Sequence, residues 1–257
     1  MLSKLLNSVG LYRPLRNTFY KLFRAKTPIE VANIQATFHS STPDLYRRIV
    51  NLGGEREQIQ LFLESIRPGE TVWDIGGFIG MFTVLSSKRV GPEGRVITFE
   101  PEPDTYKKLL ANVALNQCNN VTVFNAALSD ATDEGMIFAS RENENAIHSL
   151  RPNDHLQDNG IPTQLYNAAE LVRDQNVPVP NAVKLDVEGA ECLVMNGMKS
   201  ILADDKCRFL FMEVHPEDLP NFGHSLDDVH AILDEVGFPV TRKFERGTEY
   251  HYFCEKS

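Results

Sequence analysis

The sequence predicts an α/β fold built on a mostly parallel, doubly wound sheet. Three observations carry this reading. From Thr71 onward, short apolar runs bounded by glycine, proline and polar residues alternate with longer stretches of helical spacing. Acids and glycines recur just after those runs, at the carboxyl ends where a doubly wound sheet builds its ligand sites. A length of 257 residues, 42% hydrophobic and 24% charged, allows one large domain with a substantial core and is short for two.

The elements follow in order. Residues 1–42 read as a basic amphipathic helical extension and 43–257 as the main domain. Leu2, Leu5, Leu6 and Val9, then Leu15, Phe19, Leu22 and Phe23 recur at helical spacing, with Gly10 and Pro14 dividing them into two short helices that end near Pro28. No acid precedes Glu30, and six bases from Lys4 to Lys26 give +6; set against the net −9, this leaves −15 for the rest. Such a segment either caps the domain or lies on an anionic membrane surface through residues 1–26. From Pro43 to Arg67 the pattern is helical, broken at Gly53-Gly54. Strands are expected at Thr71–Ile75, Arg95–Phe99, Val121–Ala127, Met136–Ala139, Ala182–Val187 and Phe209–Val214. Helices are expected at Gly80–Val90, Pro103–Asn116, Leu165–Gln175, Ala190–Leu202 and Leu226–Val236. Arg141–Gly160 reads as a long polar loop, and Val240–Phe244 with Tyr250–Cys254 as a final antiparallel hairpin.

Several classes are disfavoured at this stage. No apolar run approaches the roughly 18–20 residues of a membrane span, and no signal peptide is visible. Cys118, Cys192, Cys207 and Cys254 form no C-x-x-C pair or zinc group, so they read as isolated thiols in a reducing, cytoplasmic compartment. The acidic body argues against nucleic acid as a partner.

Five motifs carry chemistry. Asp74-Ile75-Gly76-Gly77-Phe78-Ile79-Gly80 is a strand end, a glycine turn and a helix start. It has G-G-x-x-G where dinucleotide sites use G-x-G-x-x-G, and its acid suits a donor bringing an ammonium and a sulfonium instead of a pyrophosphate. Glu100, ending the next strand, is placed to accept from two ribose hydroxyls. Asn125, after the third strand, is a candidate reader of an adenine edge, with Ala126 leaving room for the ring. Lys184-Leu185-Asp186-Val187-Glu188-Gly189-Ala190-Glu191 sets Asp186 and Glu188 at a strand tip, where charge is costly unless used; Glu191 serves the helix dipole or the site. Glu213 and His215 share one face of the next strand, and His215 is a natural proton acceptor.

Together D-x-G-x-x-x-G, F-E-P, N-x-A-L-S, K-L-D-V-E-G-A-E and the strand ending E-V-H resemble the FkbM family of methyltransferases from about Arg56 to Phe244. The resemblance implies a class I Rossmann-like fold, S-adenosyl-L-methionine as methyl donor, and O-methylation of a sugar or small hydroxylated metabolite. Asp74, Gly76, Gly80, Glu100, Asn125 and Asp186 are then expected around the donor, and His215, Asp186 or Glu188 as the base, with no metal assigned. Gly76-Gly77-Phe78 departs from the family's usual Gly-Ala-Asn. Two alternatives stay open: a donor-binding or membrane-recruited scaffold without turnover, and a metal-assisted O-methyltransferase using Asp186, Glu188, Glu213 and His215.

Overall fold

The computed structural model describes residues 26–139, 148–152 and 160–256. Its centre is a seven-stranded sheet in the order β12-β13-β11-β10-β3-β4-β5. β3 (Thr71–Ile75), β4 (Arg95–Phe99), β5 (Val121–Phe124), β10 (Ala182–Leu185) and β11 (Phe209–Val214) pair in parallel, while the hairpin β12 (Val240–Arg246) and β13 (Glu249–Glu255) adds two antiparallel strands. The inner strands β3, β4, β10 and β11 are largely apolar on both faces because helices cover both. Trp73, Val183, Leu185 and Leu210 point into one core with α5 (Ala168–Gln175), α6 (Glu191–Gly197), α7 (Lys199–Ala203) and α8 (Leu226–Glu235). Val72, Val96, Ala182 and Phe211 point into the other. There they meet α1 (Pro43–Asn51), α2 (Arg56–Ser65) and α3 (Met81–Val90), with α4 (Pro103–Leu115) alongside α3. The chain runs outward from β3 to β4 and β5, then returns to β10 on the other side of β3. That reversal opens a crevice at the carboxyl ends of the strands.

The structure corrects several expectations. The segment read as helical up to residue 42 contains a β-hairpin, β1 (Lys26–Val31) and β2 (Ile34–His39), turned at Ala32 and Asn33 with φ of 49° and 60°. Its inward residues Val31 and Phe38 are buried with Phe62 and Val84, so this part belongs to the main body. Asn112 and Asn116 of α4 accept from the His39 and Thr37 N–H groups at 2.8 Å and 3.0 Å, tying β2 down. Residues 1–25, including the expected amphipathic helices, lie outside the described residues. So does most of the expected loop 141–160, although His148–Ser149 (β8) pairs with β7 (Asp133–Ala139).

A second sheet, in the order β6-β9-β7-β8, is the other difference. The single strand expected over Val121–Ala127 breaks at Asn125: β5 stays in the main sheet, and β6 (Ala126–Ser129) pairs with β9 (Ile161–Asn167). The helix expected from Leu165 begins only at Ala168, where Asn167 caps it by accepting from the Ala169 and Glu170 N–H groups. The helix expected over Ala190–Leu202 is interrupted at Met198.

α6 comes so close to β6 that a Cβ at Gly197 would sit 2.0 Å from the Ser129 carbonyl oxygen. The obstacle is backbone, so relief requires moving an element. Gly197→Ala is expected to lower stability by at least about 1–3 kcal/mol, read as a lower urea midpoint with unchanged slope; an unaltered midpoint refutes this packing.

Candidate active site

The crevice deepens into a cavity of about 420 Å³. On one side lie Ile75, Gly76, Glu100, Ala126, Ala127 and Leu128; on the other, Asp186, Glu188, Glu213 and His215. Elements from both ends of the chain complete the wall: Arg48 and Glu55 from the first helices, Arg246 and Glu249 from the last hairpin.

Beneath the floor runs a buried polar row fixed by strand register. Thr98, Asp74 and Lys184 are paired neighbours on β4, β3 and β10. The Thr83 hydroxyl donates to Asp74 Oδ2 at 2.5 Å. Lys184 Nζ donates to the Gly76 carbonyl at 2.7 Å and lies 3.2 Å from Asp186 Oδ2 and 3.7 Å from Asp74 Oδ1. Burial pushes the Asp74 carboxyl up, partly offset by Lys184 and Thr83. Burial acts the same way on Asp186, but Lys184 and His215 outweigh it and hold Asp186 below the usual carboxylate range.

The glycine turn follows from this row. Gly76 has φ of 81°, and a Cβ there would fall 1.9 Å from the Asp186 carbonyl oxygen, so no other residue fits. Gly76 and Gly77 N–H both donate to the Phe99 carbonyl at 3.0 Å. Phe78 N–H donates to Glu100 Oε2 at 2.8 Å, and Glu102 N–H to Oε1 at 3.0 Å. Burial pushes Glu100 up to about 8. A carboxylate has about four acceptor positions, so holding two N–H groups is compatible with taking a vicinal diol as well.

At the other end His215 is buried, with Nδ1 2.8 Å from Glu191 Oε1 and Nε2 3.5 Å from Glu188 Oε2. Glu191 also accepts from the Gly189 N–H at 3.0 Å. A carboxylate only accepts, which puts the ring proton on Nδ1 and turns Nε2 to the cavity. Burial alone would lower the His215 pKa; the Glu191 hydrogen bond, with Glu188 and Asp186 nearby, lifts it well above 6.5. Burial pushes Glu188 up to about 8 and Glu213 to about 7.

The profile of the methyltransferase FkbM domain matches residues 74–240, which holds the glycine turn, Glu100, Asp186 and His215. The chain belongs to the FkbM methyltransferase family. This FkbM-family chain is 30% identical over 207 residues to a hexuronic acid methyltransferase of Haloferax volcanii, covering 80% of this chain and 79% of that protein. It is 27% identical over 217 residues to the 31-O-demethyl-FK506 methyltransferase of Streptomyces tacrolimicus, covering 73% and 80%. Its fold matches a precorrin-6y C5,15-methyltransferase of Geobacter metallireducens with a TM-score of 0.50 at 15% identity, over 79% of this chain and 89% of the other. It is an S-adenosylmethionine-dependent methyltransferase with a class I Rossmann-like fold.

Not all the residues expected around the donor in this FkbM-family protein reach the cavity. Gly76, Glu100, Asp186, Glu188 and His215 line it. Asp74 lies below, turned to Thr83 and Lys184, which is where an acid on the inward face of a covered strand must point. Gly80 does not line the cavity either; its φ of 84° starts α3 next to Leu109. Asn125 donates to the Glu100 and Pro101 carbonyls at 2.9 Å and 3.0 Å, so it braces the strand end instead of facing a ring. Sequence reasoning missed Lys184, a charge inside an apolar run, and the Glu191–His215 pair, twenty-four residues apart and joined only by the β10–β11 pairing.

Removing one partner of a buried ion pair leaves the other uncompensated. Lys184→Met is therefore expected to cost about 3–5 kcal/mol, measured by chemical denaturation. A loss below about 1 kcal/mol, the level of an exposed pair, would show that Lys184 does not hold this row together.

Proposed function

We propose that this protein transfers a methyl group to a hydroxyl oxygen of a sugar or similar polyol. The observation that carries this reading is the wall opposite Glu100. Asp186, Glu188, Glu213 and Glu249 offer acceptors to several hydroxyls, and His215 stands among them with Nε2 aimed inward. A noncatalytic donor-binding protein has no use for a buried Glu–His pair. The hexuronic acid methyltransferase relative supports the sugar class.

The residues fit the donor. We assign Glu100 to the ribose hydroxyls, Ala126, Ala127 and Leu128 to the adenine wall, and Asp186 to the donor's ammonium. S-adenosylmethionine supplies a methyl group already activated by the sulfonium. The chain's own residues do the rest. The acidic wall fixes the acceptor oxygen, and holding reactants in line is worth several kcal/mol of barrier. His215 Nε2 takes the hydroxyl proton, and Glu191, on Nδ1, steadies the ring and the imidazolium that results. A metal-assisted variant has Asp186, Glu188 and His215 as ligands, whose atoms lie within 4.8 Å of one another. The Lys184 ammonium, 3.2 Å from Asp186, works against a second cation there.

The deciding experiment is turnover of labelled S-adenosylmethionine on free and linked sugars, uronates and small hydroxylated metabolites; methylation confined to nitrogen or carbon acceptors overturns the reading. Glu100→Ala is expected to weaken S-adenosylhomocysteine binding by about 1–3 kcal/mol in calorimetry, and unchanged affinity removes Glu100 from the donor site. His215→Gln should cut turnover about 100–10,000-fold with donor affinity intact. His215 is a base only when deprotonated, and its acidic partners raise its pKa above the ordinary 6.5. At saturating donor, turnover should rise with pH and level off on the alkaline side of the ordinary histidine range. Glu191→Gln removes the leading upward influence and should shift that midpoint to lower pH; a midpoint that stays in place assigns the titration to another group.

A further inference from the structure

We propose that Arg48 is the receptor for the carboxylate of the donor's methionyl tail, paired with Asp186 as receptor for the neighbouring ammonium. The inference rests on the donor orientation proposed above. With the ribose at Glu100, just past the end of β4, and adenine beyond it toward β6, the tail of the donor must cross the end of β3 toward β10. There, sharing Arg48, Glu55, Gly76, Phe78 and Asp186 with the cavity, lies a small pocket of about 40 Å³ that Lys184 also lines. The tail is a zwitterion, and charges of both signs line this pocket: Arg48 and Lys184 against Glu55 and Asp186.

Arg48 is the cation suited to the task. Lys184 is committed to the Gly76 carbonyl, Asp186 and Asp74. Arg246 is committed to Glu55 at 2.6 Å and the Gly53 carbonyl at 2.8 Å. The Arg48 guanidinium is half-buried and lies 4.7 Å from the Phe78 ring centroid, with no hydrogen bond or ion pair among the described residues. A ring contact restrains a guanidinium without using its N–H groups, which leaves the fork that matches a carboxylate available to a ligand. Phe78 itself has φ of 47°, and its N–H is the one that holds Glu100. One strained residue thus connects the proposed ribose and carboxylate receptors. This also accounts for the departure at Gly76-Gly77-Phe78: the phenyl ring supplies a platform for Arg48.

Calorimetry with three donor analogues tests the assignment: S-adenosylhomocysteine, its decarboxylated form, and 5′-methylthioadenosine, which lacks the whole amino-acid tail. Arg48→Met should weaken S-adenosylhomocysteine by about 10–100-fold, the range for a charge-assisted pair, and leave the other two unchanged. Arg48→Lys should recover part of the loss. Thermal melts check that both variants fold. Equal losses for all three analogues would make Arg48 a structural residue, and no loss for any would remove it from the donor site. A raised acceptor KM with intact donor affinity would make it an acceptor contact; each of these outcomes overturns the proposal. Glu100→Ala separates the two levels of the argument. If it weakens methylthioadenosine while Arg48→Met changes nothing, the orientation stands and the Arg48 assignment falls. If Glu100→Ala has no effect on any analogue, the orientation itself falls.

Discussion

The ammonium of Lys184 is the point on which the functional edge of this sheet depends. It is buried under α3, where an unpaired charge would be strongly disfavoured. Two carboxylates and the Gly76 carbonyl surround it. Those partners come from β3, from the turn after it and from the end of β10. One charge therefore sets the register of the two strands that flank the crevice, the path of the glycine turn and the position of Asp186. Asp74 is the counterweight: fixed by Thr83, it balances a charge that Asp186 alone, reaching out into the cavity, would share with ligands.

From that fixed point the acids of the site are given different characters by their surroundings alone. Asp186 keeps its charge because a cation touches it. Among the described residues neither Glu188 nor Glu213 has a lysine or arginine as close as Lys184 is to Asp186, Arg246 standing 3.8 Å from Glu213, and burial pushes them up to about 8 and 7. Glu191, one helical turn away, has no access to the cavity and acts on it only through His215. Pairs of titratable groups driven apart by environment mark where acid–base work is divided. The clearest such pair here is Asp186, held down by Lys184 and His215, and Glu188, two residues on, which burial raises. His215 Nε2 lies 3.5 Å from Glu188 Oε2.

The fold was largely legible because its strands are covered on both faces and read as unbroken apolar runs. What was not legible has physical reasons. The β1–β2 hairpin does show period-two alternation, Thr27, Ile29 and Val31 inward against Lys26, Pro28 and Glu30 outward; the basic charge of the preceding segment drew it into a helical extension. Asn125 looks from sequence like a ligand contact because an amide after a strand end can face either way. Only the break into a second sheet turns it back on Glu100. Asp74 lies beneath the cavity for the mirror reason. A strand's final acid may face the crevice or the helix above, and its parity with Val72 puts it under α3. Lys184 carried the most useful signal. A lysine among valine, leucine and alanine in a doubly covered strand has to find an anion, and Asp74 is its register partner.

The distribution of the walls along the chain adds a last step. The matched family region, residues 74–240, contains the glycine turn, Glu100, the buried row and the Glu191–His215 pair. Arg48 and Glu55 precede it, and Arg246, Thr248 and Glu249 follow it, yet all of them line the same cavity. The two flanks are clasped to each other across the opening, since Arg246 donates to Glu55 and to the Gly53 carbonyl. Glu213, inside the matched region, lies 3.8 Å from the same guanidinium and 3.1 Å from the buried His251. Catalytic machinery on rigid strand ends and a rim assembled from flanking segments are separable by mutation. The acceptors named for two relatives differ, a hexuronic acid in one and 31-O-demethyl-FK506 in the other, and binding different acceptors at the same reacting atoms is a matter of what surrounds those atoms.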